Sequence, residues 1–415
     1  SRRVVAACAR CCGFAGGVGG QLDALFRGAY TQQLFGEAHF EPMLAALADC
    51  VPRWDAELGQ ASPGKAPVRC SQGCGELYCS AECRDAHFKH SHNLLCVGLL
   101  EDEDHPLIRF KVHALERTDT LLLAAQVFAN LANRARAAGG GAAAARALVA
   151  ELRALCHAPF AQVCRPPPGR VRDADFVKHT DGWIGEAAAL LQAALEEHAQ
   201  AEAAALFDRG PALLSEVLGL FEKNNVTVQI ASPLATFFEG KVRALATSRD
   251  KGAEAAAEAS AVERLLRAKE RLMRCTWGQE TTGIFEDVGR PPPAARSRSE
   301  VEAEVDRMSL EQLLQAPWPA MYGDALSVSA ARTNHSCAPN LKLKFLGNNS
   351  RLTAIAVKSI ASGEELCYSY IQEDAGVKVR RRRLQHWGFT CCCERCVQEA
   401  VGPEPARKVR RQRLK

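Results

Sequence analysis

The stretch "TNHSCAPN", residues 333–340, sets an Asn-His pair beside one cysteine, with a Pro-Asn just beyond. One cysteine cannot hold a metal alone, so Cys337 is either filler or a ligand whose partners lie elsewhere in the chain. The flanks narrow the question. A run rich in small residues precedes the stretch, and "LKLKFL" follows with strand-like alternation. "RLTAIAV" and "ELCYSYI" continue as short strands, with turn signals at "GNNS" and "SGEE". Near the end, "CCCERC" offers Cys391, Cys393 and Cys396 as C-x-C-x2-C, three ligands with a fourth place open. Cys337 is the natural fourth, which would pin the C-terminal segment onto the NHSC loop. Cys392 falls between two ligands and is expected to point away.

The chain has 415 residues, of which 47% are apolar, enough for two or three packed domains and too many for wholesale disorder. No uncharged apolar run reaches membrane-spanning length, and the opening "SRRVVAACARCC" has no signal-peptide pattern. A first residue of Ser rather than Met reads as a processed, truncated or incompletely defined product. The net charge of +4 is too small to argue for nucleic-acid binding. Two basic runs, "KVRRRRLQ" at 378–385 and "RKVRRQRLK" at 407–415, read as a solvated helix face and a frayed tail, with a nuclear-import or nucleic-acid patch as the alternative. Eighteen cysteines without a secretory signal point to metal rather than disulfides.

Helical spacing dominates the middle of the chain. It predicts one or two helices over 107–135, an Ala-rich helix over 183–206, a helix over 210–225 stopped by Asn-Asn, and another over 254–274. "VTVQI" after the Asn-Asn reads as a strand, and "RPPPGR" and "GRPPPAARSRS" read as a break and a linker.

Nine of the cysteines fall within residues 8–96. Cys8-x2-Cys11, Cys70-x3-Cys74, Cys79-x3-Cys83 and His92-x3-Cys96 make four close pairs, enough for two tetrahedral zinc sites. Each pair presents two donors from one turn, which keeps the ordering entropy per ligand low. His87 and His90 are the alternatives to His92, but only His92 has the three-residue spacer to Cys96. Cys12, Cys50, Cys156, Cys164, Cys275, Cys367 and Cys392 are left as buried small hydrophobes.

Two motif groups carry a resemblance. "YCSAEC…HNLLC" after two cysteine pairs resembles a MYND zinc finger. "NHSCAPN", "IASGEELCYSY" and "FTCCCERC", in that order, resemble the catalytic half of a SET domain with its post-SET segment. Together they resemble the SMYD family of protein-lysine methyltransferases, nearest its member-five branch because the chain ends soon after Cys396. The resemblance implies an α+β fold. Its parts are a MYND-type finger with a long insertion at 8–96, a helical linking region at 105–210, a β-rich SET domain of short strands at 211–371 with a helical insertion at about 235–320, a post-SET segment at 372–400 and a basic tail at 401–415. It implies three structural zinc ions. Cys8, Cys11, Cys79 and Cys83 would hold one; Cys70, Cys74, His92 and Cys96 the second; Cys337, Cys391, Cys393 and Cys396 the third. Asn224, Asn334 and His335 would contact S-adenosylmethionine, Phe389 would lie near its adenine, and Tyr370 would line the methyl-transfer channel as the catalytic tyrosine.

The expected activity is methyl transfer to a lysine of a histone or another basic protein, in the nucleus, the cytoplasm or both. The competing class is a non-catalytic module whose finger docks a Pro-containing peptide. A zinc-dependent DNA binder is disfavoured because neither cluster has the spacing that places a reading helix in the major groove. Three departures stand out. Seven residues precede Cys8, so the family's N-terminal SET segment, with its Gly-rich cofactor turn, is expected to lie outside this sequence; "GFAGGVGG" at 13–20 reads as a loop of the finger. Trp387 stands where the family usually has a second channel tyrosine. The span from Cys11 to Cys70 is long for a finger, and residues 20–60 read as a partly helical excursion.

Overall fold

A computed structural model describes residues 4–61, 67–99, 102–155, 157–164, 173–247, 252–280 and 297–401. The basic run at 407–415, the "RPPPGR" break, Cys156 and most of the 289–299 linker lie outside the described residues. After the first cysteine pair come helices α1 (Val18–Phe26), α2 (Ala29–Phe35), α3 (Glu41–Leu47) and α4 (Val51–Ala61). Strands β1 (Val68–Arg69) and β2 (Leu77–Tyr78) pair antiparallel and lead into α5 (Ala81–His87), a π-helical turn at Phe88–His92 and α6 (Asn93–Leu95). Five helices follow: α7 (Pro106–Arg117), α8 (Thr120–Ala137), α9 (Gly141–Arg153), α10 (Phe160–Val163) and α11 (Asp173–Leu206). Then come α12 (Ala212–Asn224), β3 (Asn225–Ile230), α13 (Pro233–Thr247), α14 (Ala253–Glu280), α15 (Arg298–Asp306) and α16 (Leu310–Gln315). The last part holds β4 (Met321–Leu326), α17 (Val328–Ala331), β5 (Asn334–His335), β6 (Leu341–Phe345), β7 (Leu352–Ala356), β8 (Cys367–Tyr368), α18 (Val377–Leu384) and α19 (Glu394–Val401).

Local chemistry sets many of these boundaries. Ser80 caps α5 by accepting from the Cys83 amide. Ser297 with Glu300 and Ser309 with Gln312 form capping boxes at the starts of α15 and α16. The β6–β7 hairpin turns through Gly347 and Asn348, both at positive φ, residue types that tolerate the left-handed region. The "GFAGGVGG" stretch is only partly the loop its composition suggests. Gly16 turns at positive φ, Gly17 caps α1, and Val18–Gly20 are already helical.

The strands are fewer and shorter than a β-rich domain implies: those described form four separate two-stranded pairs, and helices carry most of the structure. Two apolar cores account for this. The first is a bundle of α7, α8, α9, α11 and α12, with Phe110, Phe128, Leu191, Leu195, Leu214 and Phe221 buried inside; Leu94 and Leu95 of α6 join it. The second packs α1–α4, the excursion within the finger, against α13–α16, the helices between β3 and β4. Phe238 lies at its centre, stacked on Trp318 and meeting Trp54 edge-on, with ring centroids 5.2 Å apart at both contacts. Here the fully buried Lys269 donates to the carbonyl of Ala316 at 3.0 Å, just past the end of α16.

Candidate functional site

β5 and β8 pair in parallel, Asn334 opposite Cys367 and His335 opposite Tyr368. This brings the NHSC loop and the "CYSY" segment together although they are some 30 residues apart. The Ser336 amide donates to the Tyr368 carbonyl at 3.1 Å, and the Tyr370 amide donates to His335 Nδ1 at 3.0 Å. His335 Nδ1 is therefore an acceptor, which leaves Nε2 as the donor toward Cys337 Sγ, 3.2 Å away. Burial, helped by the nearby Arg380 charge, lowers the His335 pKa to about 4, so the ring is neutral at physiological pH. The Tyr370 hydroxyl donates to the Thr333 carbonyl at 2.7 Å.

Aromatic rings crowd around Tyr370. Tyr368 lies 4.8 Å away between centroids, Trp387 5.5 Å, His335 5.3 Å and Phe389 6.4 Å, the last edge-on. Asn334 is exposed, and its amide donates to Glu365 Oε1 at 2.6 Å. Asn224 belongs to a different element. It ends α12, buried, with its amide donating to the Leu220 carbonyl at 2.7 Å.

Directly behind this cluster lie Cys337, Cys391, Cys393 and Cys396, whose sulfurs all fall within 4.8 Å of one another. Two further sets have the same convergence, Cys8 with Cys11, Cys79 and Cys83, and Cys70 with Cys74, His92 and Cys96. None of the described cysteines is in a disulfide. Four thiolates at about 2.3 Å from a tetrahedral zinc would lie ~3.8 Å apart. The spacings are close to that: 3.6 Å from Cys11 to Cys79, 3.8 Å from Cys70 to Cys96, 3.9 Å from Cys337 to Cys391 and 3.5 Å from Cys337 to Cys396. His92 directs Nε2 at Cys70 and Cys74, 3.3 and 3.4 Å away. The donor sets therefore fit a divalent cation. Burial pushes the Cys74 and Cys79 thiols up to about 12, so these groups keep their protons unless a cation displaces them. His90 is exposed, whereas His87 is buried and stacks on the His92 ring at 5.0 Å, held by the Tyr78 hydroxyl at 3.1 Å.

Three residues went unnoticed in the sequence. Asn340 is buried; its Oδ1 accepts from the Cys367 amide at 2.8 Å, and its Nδ2 donates to the Glu365 carbonyl at 2.8 Å and to Glu364 at 3.0 Å. Arg380 and Arg395 are the others. The run at 378–385 is not wholly a solvated face: Arg380 is fully buried, and its guanidinium donates to Cys396 Sγ at 3.4 Å. The Arg395 guanidinium donates to the carbonyls of Cys337 and Glu373 at 3.1 and 3.0 Å. A composition-based reading averages over such a run and cannot tell which arginine turns inward. The unassigned cysteines are not the buried hydrophobes expected of them: Cys50 is buried, but Cys392 is exposed and Cys12, Cys164, Cys275 and Cys367 are half-buried.

Residues 249–371 match the SET domain family. The chain thus carries a SET-domain segment and is similar to SMYD5 and SET5 proteins. The SET domain match takes in α14–α17, β4–β8 and Tyr370, while β3, which pairs with β4, precedes it. The chain is 25% identical over 81% of its length to a histone-lysine N-methyltransferase, ATXR2, of Arabidopsis thaliana, and spans 64% of that protein. It is 30% identical over 32% of its length to the histone-lysine N-methyltransferase SET5 of Eremothecium gossypii, spanning 28% of it. It is 37% identical over 20% of its length to the human protein-lysine N-trimethyltransferase SMYD5, again spanning 20% of the relative.

Proposed function

We propose that this chain is an S-adenosylmethionine-dependent protein-lysine N-methyltransferase, with a histone or another basic protein as substrate and three structural zinc ions. The observation that carries the reading is the parallel β5–β8 pairing inside the SET match, which fixes His335 and Tyr370 beside one aromatic cluster. The cofactor supplies the methyl group, activated on a sulfonium. What remains for the protein is to present a neutral lysine amine in line and to keep water out. Rings of Tyr368, Tyr370, Trp387 and Phe389 give an apolar wall that disfavours the ammonium form. The Tyr370 hydroxyl, with its proton committed to the Thr333 carbonyl, turns a lone pair toward the amine. Neutral His335 holds the Tyr370 backbone in place through Nδ1. Asn334 and His335 are the cofactor contacts in this reading, with Asn224, Tyr370 and Phe389 completing the set. Trp387 keeps the wall aromatic but contributes no hydroxyl.

Zinc is the cation that best suits the donor sets, two of four thiolates and one of three thiolates with an imidazole. The finger formed by the first two sets is MYND-like, and a Pro-containing peptide is its proposed partner. No helix among the described residues is long and apolar enough to cross a membrane, and the proposed setting is the nucleus, the cytoplasm or both. The test is cofactor binding by calorimetry and methyl transfer to basic proteins. Cofactor binding with transfer to lysine supports the reading. The absence of both binding and transfer overturns it in favour of the interaction module.

A further inference from the structure

The third cysteine set differs from the other two in its surroundings. Cys337, Cys391 and Cys396 are all buried, whereas in the first set only Cys8 is, and the second contains a neutral imidazole in place of one thiolate. Four thiolates on a divalent cation leave a net charge of −2, and a buried charge that is not compensated is costly. Arg380 meets this need. It is fully buried, its Nη2 donates to Cys396 Sγ at 3.4 Å, and its Nη1 pairs with Glu399 at 2.9 Å and donates to the Ala375 carbonyl at 2.5 Å. Glu399 is shared with Arg395 at 2.7 Å, so the trio of two arginines and one glutamate carries a surplus positive charge against the sulfurs. Ala375 lies in the loop that follows Tyr370, so one side chain joins the sulfur cluster to the segment bearing the candidate tyrosine.

We infer that Arg380 is the positioning and charge-compensating partner of the third metal site: it donates to the metal-bound Cys396 thiolate and sets how firmly that site keeps its ion. The inference rests on the reading that this set binds zinc. Partners beyond the direct ligands typically change metal affinity about 10- to 100-fold.

The experiment uses the zinc-loaded full chain and an excess of a chromophoric chelator. Cys337→Ser identifies which release phase belongs to the third site. Arg380→Met, close in volume but neutral, is expected to speed that phase about 10- to 100-fold and leave the other two unchanged. Arg380→Lys restores the charge and should recover most of the retention. Should Arg380→Met not fold, Arg380→Lys in the cobalt-substituted chain gives the second reading: a weaker hydrogen bond to sulfur moves the thiolate-to-cobalt charge-transfer band to lower energy. Release at the wild-type rate in Arg380→Met, equal loss in the Lys and Met variants, or an unmoved band in Arg380→Lys overturns the inference while the zinc reading stands. A wild-type chain that takes up no third zinc overturns both, whatever its methyl-transfer activity.

Discussion

Replacing Asn340 with alanine should loosen the join between the NHSC loop and β8 without touching a metal ligand or an aromatic wall. The side chain makes three hydrogen bonds, to the Cys367 amide, the Glu365 carbonyl and the Glu364 carboxylate, and is almost wholly buried. Alanine leaves the Cys367 amide and the Glu365 carbonyl without that partner. An orphaned backbone group costs about 1–3 kcal/mol when buried, whereas the bond to exposed Glu364 adds little. Solvent access on one side argues for the lower half of that range, so the sum is about 2–4 kcal/mol. The chain has two large cores and need not unfold in one step, so the assay should be local. Native-state hydrogen exchange of residues 367–370 reads this opening directly and should accelerate about 10- to 1,000-fold. Asn340→Asp keeps an acceptor for Cys367 but loses both donations and sets a carboxylate against Glu364, so it should be no better than alanine at neutral pH. Exchange within threefold of wild type in both variants would refute the assignment of Asn340 as the residue that fixes the β5–β8 pairing.

Metal analysis of the purified, reduced chain should give three zinc ions; Cys337→Ser should lower this to two and loosen the segment after Gly388 while the finger keeps both of its ions, as followed by limited proteolysis. Tyr370→Phe should fold normally and lower the methyl-transfer rate by about 10²-fold, the scale for loss of one preorganised polar group, whereas Asn334→Ala should weaken cofactor binding in calorimetry. Lys269→Met should destabilise the second core by about 3 kcal/mol in denaturant titration, since it strips the Ala316 carbonyl of its donor and removes one of the two cations paired with buried Glu270 among the described residues, Lys269 at 3.4 Å and Arg274.

Much of this architecture was legible because its determinants are local or of fixed spacing. Pairs such as Cys79–Cys83 and His92–Cys96 lie within single turns, and the helices between 107 and 225 show their buried stripe in the 3.6-residue period. The joining of Cys337 to the terminal cysteines could be reasoned from a ligand set lacking one member. What stayed hidden depends on partners distant in sequence. Asn340 gives no sign that it knits two segments together, and Arg380 looks like its neighbours Arg381 and Arg382. The excursion at 20–60 looked like a decoration of the finger because its apolar faces are filled by helices that begin at Pro233. The strands were overestimated for a related reason: the alternation in "ELCYSYI" continues past Tyr368, but only Cys367 and Tyr368 find a partner strand.

The pairing of α1–α4 with α13–α16 has a consequence for biosynthesis. Leu22, Leu25, Phe26, Leu47 and Trp54 leave the ribosome with only their neighbours in α1–α4 to cover them, and the helices that complete their burial begin some 170 residues after α4 ends. At ordinary translation speeds of about 5–20 residues per second, that apolar face waits roughly 10–35 s for its complement. The helical bundle is made during that interval, so the second core is a client for holding chaperones during synthesis and closes only after the bundle is complete.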